Sequence, residues 1–274
     1  MKSKKGDYQT LGVFLTQGLF WLGLAEFMVF YVRLKARANF EMESFSLAIL
    51  ALVVLFSFLL AYFLTRADFG LKVYAILVYA AILIGALTYA SLVLPWPFAL
   101  LTLPVVAGIF LFSPRVIWQN LMLTLALSGI AIQFSGLLTW RVAVALILAL
   151  SLYDFIAVKI THHMIRLARA VVNIHVPAIY VIPLNYRDLF SHVNRFFVGS
   201  KAIFLGGGDV ALPAMLVVAA PNNRLALGVA LGNLAGFAFM AYLFGRRSVI
   251  RPLPALPFIS FGGLLGALIF WIIL

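Results

Sequence analysis

Cysteine is absent from the 274-residue chain, so no disulfide framework, thiolate metal site or cysteine nucleophile can be built. Histidine is nearly absent too. Its 4 copies, His162, His163, His175 and His192, fall in one stretch, which leaves every apolar segment without the imidazole that serine–histidine hydrolysis needs. No His-Glu-x-x-His string occurs, so a zinc protease of that kind is excluded. Charge is scarce: 10% of residues are charged, with 8 acids against 20 lysines and arginines. What the chain has in excess is apolar surface, 65% hydrophobic residues with a mean hydropathy of +1.12, the composition of a polytopic membrane protein. The net charge of +12 would suggest nucleic acid in a soluble chain. Here the basic residues punctuate apolar runs, so the lipid bilayer is the expected partner and nucleic acid is not.

Apolar runs of about 20 residues, the length that crosses a bilayer, occur nine times. They cover 9–32, 45–65, 72–93, 98–113, 116–134, 140–159, 202–220, 224–244 and 255–274. Met1–Lys5 could open a signal peptide, but the run behind it is too long for one and is read as the first span. With the N-terminus cytoplasmic, 15 basic residues fall on that side, and only Arg33, Lys35, Arg37, Arg141 and Arg224 fall on the other. This asymmetry predicts N-terminus in and C-terminus out. The fold expected is an all-α bundle of nine transmembrane helices. Residues 1–159 form a six-span part, 160–201 a cytoplasmic loop, and 202–274 a three-span part.

The long loop has its own pattern. In "HHMIRLARAVVN", Met164, Leu167, Ala168, Val171 and Val172 share one helical face and Arg166, Arg169 and Asn173 another, which suits an interfacial helix. "HVPAIYVIP" suits either a short strand, one that could pair with an unwound substrate, or an ordinary solvated segment.

Of the acids, only Glu26, Asp154 and Asp209 lie inside spans. Asp154 precedes Lys159 by five residues and Asp209 follows Lys201 by eight. At 1.5 Å per helical residue, both carboxylates then sit roughly 7 to 12 Å inside the cytoplasmic face. A lone buried acid can simply stay protonated and bond a neighbouring helix. Two at matched depth, on spans that flank the long loop, point to function. Close carboxylates share a proton, leaving one acid and one base, which is what aspartic peptide hydrolysis requires. No metal and no cofactor are needed.

Gly206, Gly207 and Gly208 precede Asp209, and Pro213 follows it by four residues. The glycines remove side chains that would keep a substrate backbone away, and the proline leaves the Asp209 carbonyl without its helical donor. Close helix packing is the alternative for the glycines. Pro252, Pro254 and Pro257 open the ninth span, where an irregular or extended entry is expected before Phe258.

Taken in order, Tyr153-Asp154, Gly206-Gly207-Gly208-Asp209 and Pro254-Ala255-Leu256-Pro257 resemble the three motifs of the presenilins and signal peptide peptidases, the Gly-x-Gly-Asp intramembrane aspartyl proteases. The resemblance implies that Asp154 and Asp209 are the catalytic pair. It implies that Tyr153, the three glycines and Pro254, Ala255, Leu256 and Pro257 border bound substrate, a transmembrane peptide or protein. The orientation looks like that of presenilins; signal peptide peptidases are inverted. The mass of 30.2 kDa and short loops look like a microbial, archaeal-type presenilin homologue in the cell membrane, for which no accessory subunit is expected. The long loop is shorter than in eukaryotic presenilins, so autoprocessing there is not implied.

The alternative from another class is an ion or proton-coupled transporter or channel that uses paired intramembrane carboxylates. Glu26 would suit a conduction path, but a protonated packing residue is the favoured reading. Gly228, Gly232 and Gly236, with Gly262 and Gly266, form small-residue ridges expected to pack helices closely.

Overall fold

The computed structural model describes residues 4–35, 68–112, 115–159, 177–197, 202–245 and 254–273. The expected second span at 45–65, the interfacial helix of the long loop and Pro252 lie outside the described residues. The helices in chain order are α1 (Lys4–Lys35), α2 (Asp68–Val93), α3 (Trp96–Leu100), α4 (Thr102–Phe112), α5 (Val116–Gly136) and α6 (Trp140–Lys159), then α7 (Asn194–Phe197), α8 (Gly208–Ala219), α9 (Asn223–Gly245) and α10 (Ala255–Ile273). Between α6 and α8 lie two strands, β1 (Ile179–Pro183) and β2 (Ala202–Gly206).

Among the described residues, six helical stretches are long and apolar enough to cross a membrane: Leu11–Lys35, Ala75–Val93, Val116–Gly136, Trp140–Lys159, Asn223–Phe244 and Ala255–Ile273. These match six of the nine expected spans. Two others depart from expectation. The span at 98–113 is broken, because Pro104 stands in the first turn of α4 and has no N–H for the carbonyl of Leu100. The span at 202–220 is a helix only from Gly208, so α8 has 12 residues. That is about 18 Å of helix, short of the roughly 30 Å hydrocarbon core.

Residues 202–206 are instead a β-strand, which corrects both the all-α expectation and the placing of 202 at the start of a transmembrane helix. β2 pairs antiparallel with β1, from Ile179 opposite Gly206 to Pro183 opposite Ala202. The physical reason is visible in "AIFLG": β-branched and aromatic residues favour a pleat, and Gly206–Gly208 then break any helix that would start early. Of the two readings of "HVPAIYVIP", the strand is the one formed.

The short helix α8 is central, packed against α1, α5, α6, α9 and α10. The ridges pack as expected. A methyl on Gly228 would lie 2.7 Å from the Gly266 carbonyl oxygen, and one on Gly262 2.8 Å from the Cα of Gly236, so α9 and α10 touch backbone to backbone. Two of the minority basic residues also find a structural purpose. Arg33 bonds the Val218 carbonyl at the end of α8, and Lys35 donates to the Val93 carbonyl at the end of α2 at 3.1 Å. Both satisfy orphan carbonyls at helix C-termini.

Candidate active site

Asp154 occupies the packed face of α6. Ala143, Ile147, Asp154 and Val158 are all buried at helical spacing, and they turn the carboxylate into the bundle toward α8 and α10. Only 6% of Asp154 is exposed. Its carboxylate accepts the backbone N–H of Leu256. That donor exists because of where α10 begins. The four N-terminal positions that lack intrahelical acceptors are the preceding residue Pro254 and the helical Ala255, Leu256 and Pro257, and the two prolines bring no N–H. The tetrapeptide is thus a helix N-terminus with two donors left, one of them spent on Asp154. Pro257 falls inside the first turn, so the irregular entry expected to last until Phe258 ends at Pro254. Pro254, Ala255 and Leu256 are buried.

Asp209 is the second residue of α8, entered directly from β2 through Gly207. Its carboxylate accepts the N–H of Gly206 and lies close enough to Asp154 for the charge of one to act on the other. Oδ2 of Asp154 has no partner among the described residues. The residues at all three sequence motifs therefore converge: Leu256 touches Asp154, Asp154 acts on Asp209, and Gly206 holds Asp209.

The three glycines differ in what they do. A Cβ on Gly206 would meet Oδ2 of Asp209 at 3.0 Å. One on Gly207 would meet the Ala178 carbonyl oxygen at 2.9 Å and Leu127 Cδ1 at 3.2 Å. One on Gly208 would meet nothing within 4 Å, so that glycine, next to Asp209, has open space beside it. Tyr153, beside Asp154, stands on the outward face of α6 with 36% of its surface exposed.

Pro213 lies inside α8 as expected, four residues beyond Asp209. Its own carbonyl accepts Nδ2 of Asn233 at 3.2 Å, and the same amide donates to Oε1 of Glu26 at 2.7 Å. Glu26, 2% exposed, is therefore part of a packed polar cluster behind the helix that carries Asp209, in agreement with the packing reading. Asn233 was not identified from sequence. An isolated amide in an apolar span was the signal available.

The residues that hold the strands also went unread. Gln17, Gln119, Asn120 and Thr124 bond β1 from α1 and α5. Burial pushes the Tyr180 phenol upward, so it stays neutral and bonds Thr124 at 3.0 Å.

Comparison with known proteins accords with this geometry. Residues 19–274 match the family described as "Signal-peptide peptidase, presenilin aspartyl protease". Two solved structures of a presenilin family intramembrane aspartate protease, in different crystal forms, share the fold. The C222 form has a TM-score of 0.65 at 20% identity and covers 95% of this chain and 100% of that one. The P2 form has a TM-score of 0.61 at 21% identity, with 93% and 96% covered. No individually curated protein matches the chain. Nothing in these comparisons supports the transporter or channel reading. With the match spanning nearly the whole chain, the protein belongs to the signal-peptide peptidase and presenilin family of aspartyl proteases, integral membrane enzymes that act within the bilayer.

Proposed function

We propose that Asp154 and Asp209 are the catalytic pair of this intramembrane endopeptidase, hydrolysing a peptide bond within a transmembrane segment. The observation that carries the assignment is the coupling of Asp154 to both other motifs: it accepts the Leu256 N–H and acts electrostatically on Asp209.

The two carboxylates share one proton. The ionised one takes a proton from water as the water oxygen attacks the scissile carbonyl carbon, and the protonated one gives its proton to the carbonyl oxygen. In the second step the aspartate that took the water proton gives it to the leaving nitrogen as the C–N bond breaks, the other takes a proton back from a hydroxyl of the diol as the C=O re-forms, and the pair regains its starting protonation. The Leu256 N–H, at the N-terminus of α10, holds the Asp154 carboxylate in place. Gly208 leaves room for the substrate backbone, and Tyr153 and Pro254–Pro257 border it.

The enzyme works with its N-terminus cytoplasmic and C-terminus external in the cell membrane, as the lysine and arginine asymmetry indicates. Residues 1–159 and 202–274 each bring one aspartate to the site, across the loop 160–201. No accessory subunit is required for hydrolysis.

The test is cleavage of a transmembrane peptide by purified protein in detergent, with product masses. Asp154→Asn and Asp209→Asn should each reduce hydrolysis to background while the fold survives. Retained hydrolysis by either well-folded variant would refute the assignment.

A further inference from the structure

β1 has two edges, and the one away from β2 is closed by side chains. In an antiparallel pair successive residues point their backbone groups to opposite sides. Tyr180 and Ile182 turn toward β2, so Ile179, Val181 and Pro183 turn away. Each of these three carbonyls accepts a side-chain amide. Gln119 donates to Ile179 at 3.3 Å, Asn120 to Val181 at 2.8 Å and Gln17 to Pro183 at 3.1 Å. Asn120 also accepts the Val181 N–H on Oδ1 at 3.1 Å, so its one amide reproduces both bonds of a neighbouring strand. Pro183 has no N–H to leave unpaired.

These amides are deeply placed: Asn120 is 0% exposed, Gln17 4% and Gln119 5%. Three buried amides converging on one strand from two membrane helices are far more than a solvated loop needs. They tie β1 to the frame of the bundle at three successive points.

The tie reaches the catalytic loop in two steps. One rung beyond the paired residues, the Gly207 N–H donates to the Ala178 carbonyl at 3.0 Å. The face of α5 that carries Asn120 and Thr124 continues to Leu127, which packs against Gly207. Gly207 is then followed by Gly208 and Asp209.

We propose that Gln17, Gln119 and Asn120 are positioning residues for Asp209, acting through β1 and the Ala178–Gly207 bond, and that the same clamp denies the outer edge of β1 to any added strand. The first half rests on the reading of Asp209 as catalytic; the second does not. It also corrects the expectation that "HVPAIYVIP" itself pairs with an unwound substrate, since the backbone groups needed for that are already engaged.

The experiment uses the full chain in detergent with Asn120→Leu, similar in size but unable to bond, and Gln17→Leu as a milder variant at the far end of the strand. Two quantities are read: kcat and KM on a transmembrane peptide, and amide hydrogen exchange over 178–183 and 202–207. The expected result for Asn120→Leu is a fall in kcat of about tenfold or more, since small misplacements of reacting groups are that costly. KM should stay within about twofold, with faster exchange at Val181 and Gly207. Gln17→Leu should move both in the same direction by less, and it decides the matter if Asn120→Leu does not fold. Parental kcat despite faster exchange would overturn the positioning role, and parental exchange would overturn the clamp. Should the parent protein itself fail to cleave, the assignment of the aspartates falls, and the exchange measurement still judges the clamp.

Discussion

Gly207 and Gly208 are adjacent and chemically identical, yet the structure separates them so sharply that alanine should affect stability at one and not at the other. A methyl on Gly207 would sit 2.9 Å from the Ala178 oxygen and 3.2 Å from Leu127, on the very residue whose N–H bonds Ala178 at 3.0 Å. The strand or α5 must move to admit it, at a cost of about 1–3 kcal/mol. A methyl on Gly208 meets nothing within 4 Å, and that residue opens α8. Alanine there should leave stability unchanged or raise it by up to about 1 kcal/mol through reduced freedom of the unfolded chain. Its activity should nonetheless fall. On the proposed assignment of Asp209 a substrate backbone comes to the open side beside Gly208, and holding the scissile bond about 1 Å too far away costs on the order of 10²-fold, roughly 2.7 kcal/mol of barrier. Thermal unfolding in detergent, paired with kcat/KM on a transmembrane peptide, separates the cases: Gly207→Ala loses both, Gly208→Ala loses activity alone. A Gly208→Ala protein with parental kcat/KM would show that the open side is not the substrate's approach, and the reasoning would fail there.

The remaining expectations are briefer. Activity against pH should follow a bell whose two limbs belong to the aspartate pair, the acidic limb from adding a second proton and the alkaline limb from losing the shared one; a monotonic rise to high pH would contradict the shared proton. Asn233→Leu strips the donor from Glu26 and from the Pro213 carbonyl together, and should destabilise the protein by about 1–3 kcal/mol in chemical unfolding. Glu26→Gln keeps an acceptor for Asn233 and should retain cleavage, whereas a transport role for Glu26 would make that variant the more damaging of the two. Gly262→Ala would press a methyl against the backbone of α9 at Gly236, and a loss of about 1–3 kcal/mol in the same assay is expected; unchanged stability would mean the α9–α10 contact is looser than described.

What could be read without coordinates follows from which physical signals are local. The membrane helices were legible because twenty apolar residues leave few options in a bilayer. The aspartates were legible because a carboxylate in such a run is costly enough to require a reason. The presence of a second one at like depth supplied it. The helix origin at Pro254–Pro257 was legible only as a disturbance. That its surviving N–H at Leu256 would meet Asp154 depends on how α10 packs against α6, and no spacing within either segment encodes that.

The failures share a cause. "AIFLG" carries enough apolar weight to pass as the start of a span, and only its partner decides otherwise: β1, which ends at Pro183, lies far earlier in the chain and offers the backbone groups that make an extended form cheaper than a helical one. β1 in turn depends on Gln17, Gln119 and Asn120, which as isolated amides in apolar spans look like tolerable imperfections. Their meaning appears only when the three carbonyls of Ile179, Val181 and Pro183 are seen to need donors at once. A polar side chain in a membrane helix is therefore best treated as one half of a bond whose other half is to be sought in irregular or extended backbone elsewhere in the chain. In this protein that search, begun at Asn120, leads through Val181, Ala178 and Gly207 to within two residues of Asp209.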